Sequence, residues 1–125
     1  MTDFIIPKGE DYYFKLKILA KDSIYPQSLV KMSAFEMKIY RKDDGTVVVS
    51  QPSYSHTNAE KLTGIINVHL LATQTNLLEV KRSGVVDGYY LKSGYQASIK
   101  VTFTDPSIPS IFTTINDIYV SQTGV

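Results

Sequence analysis

Hydrophobic and polar residues alternate along most of this chain with a period of two. The clearest run covers residues 96–104, where the side chains on one face are Ala97, Ile99, Val101 and Phe103. Three other runs share this pattern and place on one face Phe14, Leu16, Ile18 and Ala20; Phe35, Met37 and Ile39; and Ile66, Val68 and Leu70. Such alternation puts apolar side chains on the buried face of a strand and polar ones on the other face. Each run therefore predicts a half-buried β-strand.

Turn residues separate these runs in the way that an antiparallel sheet requires. Asp43, Asp44 and Gly45 lie between the β-prone segments 35–40 and 46–49. Asp-Gly between two such segments predicts a hairpin, because tight turns need positive φ angles that Gly adopts without strain.

Further strands complete the predicted fold. Residues 4–6 predict a short opening strand that Pro7 ends, and residues 112–120 predict a closing strand. Helical periodicity occurs only in residues 73–81, where Thr73 is a candidate N-cap and Gly84 a candidate stop for one or two turns. The pattern predicts an all-β antiparallel sandwich of about seven to eight strands.

Composition bounds the class of protein. The 125 residues contain no Cys, which excludes a disulfide, a thiolate nucleophile and a Cys-ligated metal. A length of this order fits a single domain over residues 1–125. The net charge of +1 removes any compositional argument for nucleic acid or an anionic membrane as a partner. The start of the chain lacks a secretory signal pattern, and the uncharged stretch 62–78 is interrupted by polar residues, so we expect cytoplasmic synthesis and no membrane insertion.

The segment around Gly94 and Tyr95 resembles the corner that precedes strand F of immunoglobulin-like domains. In that family a Tyr lies two residues before an inward position that is Cys in antibodies, and here that position is Ala97. The resemblance implies that the Tyr95 hydroxyl bonds to a backbone group. The alternative is that Tyr95 only begins a strand after Gly94.

A wider order of turns and strands resembles small immunoglobulin-like domains of bacteriophage tail-tip and baseplate proteins, among them the collar proteins of T5-like siphophage tails. The residues that carry it are Pro7-Lys8-Gly9-Glu10-Asp11, the Asp43-Asp44-Gly45 hairpin, the Gly94-Tyr95 corner and the final Asn116-Asp117-Ile118-Tyr119-Val120. The segment 78–94 departs from the pattern by its length. The resemblance implies a virion component, made in the bacterial host cytoplasm, that assembles with copies of itself, with other tail proteins and with tail fibres.

Residues that carry chemistry do not form a catalytic or metal-binding pattern in the sequence. His56 and His69 lack the spacing of a metal site, and the carboxylate pairs Glu10-Asp11 and Asp43-Asp44 lie beside Gly, as turn residues do. We therefore expect neither an enzyme nor a cofactor; a cytoplasmic enzyme or inhibitor remains a minor alternative.

Uncharged surface segments are the candidate interface. Val47, Val48 and Val49 follow one another on a predicted edge strand without a Lys, and residues 106–116 form a loop and strand start that is rich in apolar side chains. The candidate residues outside the three valines are Tyr54, Tyr89, Tyr90, Ile108, Ile111 and Phe112. For the valine strand and the 106–116 segment, burial in the domain's own core is an equal alternative. The rival function is a carbohydrate-binding or receptor-binding module, which needs several tyrosines on one exposed face with carboxylates and amides nearby.

Overall fold

The computed structural model describes residues 4–21, 23–85, 88–91 and 93–121, with residues 82–91 described by their backbone alone. This part of the chain forms ten strands and two short helices. In chain order they are β1 (Phe4–Pro7), β2 (Tyr12–Lys17), β3 (Met32–Arg41), β4 (Val47–Val49), β5 (Ser53–Ser55), α1 (Asn58–Leu62), β6 (Ile65–Leu70), α2 (Ala72–Thr75), β7 (Arg82–Val85), β8 (Gly88–Leu91), β9 (Tyr95–Phe103) and β10 (Ile111–Ser121).

Eight of these strands make two sheets that pack face to face. One sheet has the order β1-β10-β9-β3-β4 and the other β2-β6-β5, while β7 and β8 form a separate hairpin. The pairing is antiparallel throughout except between β1 and β10, which run parallel. The orders β10-β9-β3-β4 and β2-β6-β5 match G-F-C-C′ and B-E-D of immunoglobulin domains. The predicted immunoglobulin-like antiparallel sandwich is confirmed.

The core lies between the sheets and contains most of the side chains that the alternation placed inward. Phe14 is half-buried against it, and Ala20, beyond the end of β2, is half-buried rather than in the core. Along β9 every second residue is buried, from Tyr95 to Phe103. The register pairs Val101 with Phe35 and Ile99 with Met37, so the buried rows of β9 and β3 lie side by side. Full burial of a large apolar side chain contributes roughly 1.5–3 kcal/mol, which makes these rows the main source of stability.

The predicted Asp-Gly hairpin joins β3 to β4. Gly45 has φ +74°, in the left-handed region. The Thr46 N–H donates to Asp44 Oδ1 at 2.9 Å, and the Gly45 N–H donates to the Arg41 carbonyl at 3.0 Å. The hairpin prediction is confirmed.

The helix prediction is wrong in its bounds. α2 begins at Ala72 rather than after Thr73, its N-cap is Leu71, and it makes a single turn. The helix ends at Thr75, and three residues later Leu78 is fully buried in the core. Gly84 lies in β7, well beyond that end.

A second helix, α1, is absent from the sequence prediction. It starts with a capping box in which the Glu60 N–H donates to Thr57 Oγ1 at 3.1 Å and the Thr57 N–H donates to Glu60 Oε1 at 2.9 Å. These two bonds satisfy amides that a helix start leaves unpaired.

The corner at Tyr95 has the geometry that the resemblance implied. The Tyr95 side chain is buried, and its hydroxyl accepts a hydrogen bond from the Glu79 N–H at 2.8 Å. A Cβ at Gly94 would lie 2.8 Å from Lys81 Cγ, so glycine lets this side chain pack against the corner. The long segment before the corner carries the β7–β8 hairpin.

Candidate interaction surfaces

The three valines of β4 differ in what they offer to a partner. Val47 is 47% exposed, Val48 is half-buried and packs against the core, and Val49 belongs to the core at 3% exposure. β4 is an edge strand, as predicted, with β3 as its neighbour. Val47 is therefore the valine whose side chain is most available to another molecule.

The apolar residues just before and at the start of β10 also differ in exposure. Ile108 and Ile111 are half-buried and pack against the core, whereas Phe112 is 71% exposed. Lys100 Nζ lies 5.3 Å from the centroid of the Phe112 ring. Because β3 and β9 lie between β4 and β10, Val47 and Phe112 are separated by three strand spacings, about 14 Å. The fold does not bring them into one patch.

The tyrosine candidates are spread over the molecule. Tyr54 is 41% exposed, and its ring centroid lies 4.8 Å from that of Phe35. Tyr89 and Tyr90 lie in β8, and their side chains are outside the part of the chain that the structure describes. These three positions remain candidates.

A groove runs between the end of β2 and the start of β10, and we call it the β2–β10 groove. It measures about 500 Å³ and is lined by residues 17–21 and 110–113. Leu19, Ile111 and Phe112 supply its apolar surface, and Lys17 and Lys21 its charge. Within the described lining no carboxylate offsets these two ammonium groups.

Both walls of the β2–β10 groove are strand edges. β1 accompanies β10 from Ile118 to Ser121, so residues 111–115 pair with β9 on one side and, among the described strands, with none on the other. β2 likewise has β6 as its one described neighbour. Every second residue of such an edge directs its N–H and C=O away from its partner strand.

Hydrogen bonds on both sides of Leu19 fix the direction of its own backbone groups. The Ile18 N–H donates to the Gly64 carbonyl at 2.7 Å, and the Ala20 N–H donates to the Tyr25 carbonyl at 2.9 Å. In an extended chain the neighbouring amide points the opposite way. The N–H and C=O of Leu19 are therefore directed toward the β2–β10 groove, and the same alternation applies to Lys17 and Lys15.

Gly64, just before β6, allows residues 18–27, which follow β2, to pack closely against it. It has φ +75°, and a Cβ there would lie 2.6 Å from the Ile18 carbonyl oxygen and 2.9 Å from the Gln27 carbonyl oxygen. Any larger residue would push residues 18–27 away from β6.

Asp105 organises the loop that leads into the other wall. Its Oδ1 accepts from the Ser107 hydroxyl at 2.7 Å and from the Ser107 N–H at 2.9 Å, and its Oδ2 accepts from Lys31 Nζ at 3.1 Å. The Ser107 bonds first, and then the Lys31 bond, lower the pKa of Asp105 to about 2. The carboxylate is thus ionised at neutral pH and holds the loop before β10.

A second surface lies on the outer face of the β2-β6-β5 sheet, and we call it the Tyr13 face. The rings of Tyr13 and His69 are stacked, with centroids 4.1 Å apart and planes 14° apart, and Tyr13 is 68% exposed. The shallow cleft beside them measures about 450 Å³, and its outward polar side chains are Lys15, Ser53, Ser55 and Asn67.

Two carboxylates border the Tyr13 face. Glu60 Oε1 accepts from Asn67 Nδ2 at 2.9 Å, and Glu60 Oε2 lies 3.5 Å from Lys15 Nζ. The pKa of Glu60 is lowered, chiefly by the backbone hydrogen bond from Thr57. Asp11 Oδ2 lies 3.5 Å from His69 Nε2. An exposed ring beside an amide, an ammonium and carboxylates can stack on a sugar and bond its hydroxyls.

The sequence prediction selected Ile111 and Phe112 but not the other residues that define these two surfaces. Leu19 fell on the outward face of its run together with Lys15 and Lys17, and an apolar residue among lysines was the available signal. Tyr13 lay on the same face. Their partners across the groove and the sheet are far away in sequence, so alternation alone gave no reason to combine them.

Metal-binding groups and membrane-spanning helices are both absent from the described part of the chain. Among the described residues, no three His, Asp or Glu side chains form a group able to hold a metal ion. The described helices are all too short to cross a bilayer.

Comparison with known proteins gives a distant structural likeness. No protein-family model matches the chain, and a search of curated proteins found no match. The chain is similar to a crystal structure of the ZIG-8–RIG-5 IG1–IG1 heterodimer, at 12% identity and a TM-score of 0.33, with 97% of this chain and 82% of that chain covered. The order of the strands in the two sheets, and not this likeness, identifies the fold.

Proposed function

We propose that this domain is a structural assembly protein that acts by docking to other proteins through the β2–β10 groove. The observation that carries the proposal is Phe112, a large apolar side chain that is 71% exposed beside a strand edge with no partner among the described strands. Apolar surface left in water forgoes about 25 cal/mol for each Å² that a partner would cover. Exposed rings next to open backbone groups are typical of surfaces that a second polypeptide covers.

The setting that we propose is the tail tip or baseplate of a bacteriophage. Support for it comes from the turn residues and strand order that resemble the immunoglobulin-like domains of tail proteins. The proposed partners are copies of the chain, other tail proteins and tail fibres, and the proposed location is the virion. Val47, Tyr54, Tyr89 and Tyr90 are candidates for secondary contacts in such an assembly.

Purified particles of the encoding phage test this proposal. Mass spectrometry and immunogold labelling should find the chain at the tail, and Phe112→Ser should reduce its incorporation at least tenfold while its melting temperature stays within a few degrees. The matched control is Leu77→Ser, which removes an apolar side chain that is 57% exposed and lies outside the candidate contacts. Absence of the chain from purified particles would contradict the proposal, as would normal incorporation of Phe112→Ser.

Carbohydrate binding at the Tyr13 face is the second candidate function. The exposed Tyr13 ring, stacked on His69 beside the Asn67 amide, favours it. A glycan array followed by nuclear magnetic resonance titration of the best glycan should show shifts at residues of this face. Tyr13→Ala should abolish them, and Tyr25→Ala, which removes another exposed tyrosine at 71% exposure, should not. A Tyr25→Ala loss equal to that of Tyr13→Ala would contradict binding at this face.

A further inference from the structure

We infer that the β2–β10 groove receives an extended segment of a partner polypeptide, which adds as a strand to the free edge of β2 and alternates apolar with acidic residues. This inference rests on the proposed docking function and states the chemistry of the docked partner. The juxtaposition of two strand edges that have no partner among the described strands, across a groove with apolar and lysine side chains, leads to it.

The backbone of β2 and of the residues that follow it offers a regular ladder to such a segment. Lys15, Lys17 and Leu19 direct their N–H and C=O groups away from β6, as the bonds of Ile18 and Ala20 show for Leu19. These groups recur at every second residue, about 6.6–6.8 Å apart, which is the repeat of an incoming strand. Strand addition of this kind takes affinity from main-chain bonds and specificity from alternate side chains.

The other edges of the two sheets are poorer templates. β4 and β5 contain three residues each, and β1 contains four, of which the last is Pro7. Proline has no N–H to donate, and very short edge strands discourage pairing. β2 with its extension to Leu19 is the longest edge with an apolar groove beside it in the described part of the chain.

Side chains along the groove define what the segment carries. Residues of the segment that face the sandwich would meet Ile18 and Ile111, which lie in or against the core and line the groove, and this favours apolar side chains. Residues that face outward would lie beside Lys15 and Lys17, which are exposed on β2, and would approach Lys21. Opposite charges on neighbouring strands attract, so these positions favour Asp or Glu.

The same lysines argue against a second copy of β2 as the occupant. Antiparallel pairing of two β2 edges would bring Lys15 and Lys17 of one chain beside those of the other. Like charges on directly opposed strand positions are destabilising, and edge lysines are a known protection against self-pairing. The occupant is therefore a different, acidic segment.

Synthetic peptides test the inference with the intact chain. The probe is a fluorescein-labelled, terminally capped nine-residue peptide of alternating Val and Glu, and the matched probe replaces each Glu by Lys. Fluorescence anisotropy at neutral pH should show at least tenfold tighter binding of the Val-Glu peptide. The double variant Lys17→Glu, Lys21→Glu should reverse this preference, and Lys38→Glu, on the outer face of the other sheet, should leave it unchanged.

Methylated peptides separate strand addition from simple charge attraction without altering the protein. One Val-Glu peptide carries N-methyl groups on its Glu amides and the other on its Val amides. If the peptide adds antiparallel to β2, methylation of the Glu amides should weaken binding at least tenfold and methylation of the Val amides should not. If it adds parallel, methylation of the Val amides should weaken binding and methylation of the Glu amides should not. Equal binding of both methylated peptides would overturn the inference, and so would equal binding of the Val-Glu and Val-Lys peptides.

The experiments can contradict the docking function and the strand addition independently of each other. If Phe112→Ser blocks incorporation into particles while no alternating peptide binds, docking stands and strand addition is wrong. If the Val-Glu peptide binds with the expected methylation pattern but the chain is absent from particles, the assembly function is wrong and strand addition stands. A stable dimer in light scattering that fails to bind the Val-Glu peptide and that Phe112→Ser dissociates would show that a second copy occupies the groove, and would overturn the acidic segment.

Discussion

β4 and the first half of β10, on opposite sides of the same sheet, differ in how much open backbone and how much apolar side chain they expose. β4 is short, and it turns two of its three valines toward the core, so that Val47 alone is largely in water. β10 is eleven residues long, its first half lacks a described neighbour on one side, and Phe112 stands exposed there. The comparison shows that a run of apolar residues is weak evidence for an interface, whereas an apolar side chain beside open backbone is stronger evidence.

The largest expected effect concerns β9, on which both edges depend. Phe103→Ala should lower the free energy of unfolding by about 3–5 kcal/mol, because removal of a buried aromatic ring leaves a cavity. Lys100→Ala, on the outward face of β9, should change it by about 0.5 kcal/mol or less. Chemical denaturation of both variants measures this. Similar losses of unfolding free energy in the two variants would mean that β9 has no distinct buried and outward faces. The comparison between β4 and β10, which depends on that distinction, would then be unsupported.

Gly64 and Gly45 allow the groove wall to be compared with the β4 hairpin. Both have positive φ, but a Cβ at Gly64 would meet backbone oxygen, while a Cβ at Gly45 would meet nothing within 4 Å. Gly45→Ala should therefore cost about 1 kcal/mol and Gly64→Ala about 2 kcal/mol or more, since strain and overlap add. Thermal unfolding compares them. A smaller loss for Gly64→Ala would show that residues 18–27 are free to move away from β6, and the β2 wall would be less defined than described.

Within β4, the buried Val49 and the exposed Val47 can be compared by substitution. Val49→Ala should cost about 1–3 kcal/mol because it removes buried methyl groups, and Val47→Ala about 0.5 kcal/mol because its side chain is half in water. Urea unfolding of the two variants is the measurement. If Val47→Ala were the more damaging, β4 would pack in the opposite sense and its outward valine would be Val49.

The smallest effect is a pH dependence of the loop before β10. The pKa of Asp105 is lowered to about 2 from a usual value near 4, so its contribution to stability is present above about pH 4 and is lost as the pH falls toward 2. Asp105→Asn should therefore melt at a lower temperature than the native chain at pH 6, and the difference should shrink by pH 2. Melting curves across this range measure it. A difference that stays constant with pH would mean that the carboxylate charge does not hold the loop.

Local patterns predicted the parts of the fold that depend on neighbouring residues. Alternation gave the buried faces of β3, β6 and β9, and Asp44-Gly45 gave the hairpin, because period and turn geometry are encoded over a few positions. The Thr57–Glu60 capping box is equally local, and its T-x-x-E spacing was readable although α1 was not predicted. The predicted bounds of α2 were wrong, since the pattern of Leu77, Leu78 and Val80 was read as a helix face, whereas Leu78 is buried in the core beyond the end of α2.

The candidate surfaces depended on contacts between distant positions. The β2–β10 groove exists because β1 pairs with residues 118–121 and leaves residues 111–115 with β9, which no local pattern encodes. Tyr13 and His69 stack across two strands that are 56 positions apart in the numbering. Sequence reasoning named Phe112 and Ile111 as uncharged candidates, and the fold supplied Leu19, Lys17 and Lys21 around them.

The parallel pairing of β1 with β10 has a mechanical consequence. Phe4 lies opposite Ile118 and Pro7 opposite Ser121, and the Lys8 N–H continues the ladder by donating to the Ser121 carbonyl at 2.9 Å. A force that pulls the N-terminal end of β1 away from the C-terminal end of β10 acts along these strands, and it loads the bonds between them in shear. Bonds loaded in shear share the tension and must break together, whereas those of a hairpin pulled from its open end break one after another. The first and last strands of the domain thus form a clamp that resists stretching along the chain.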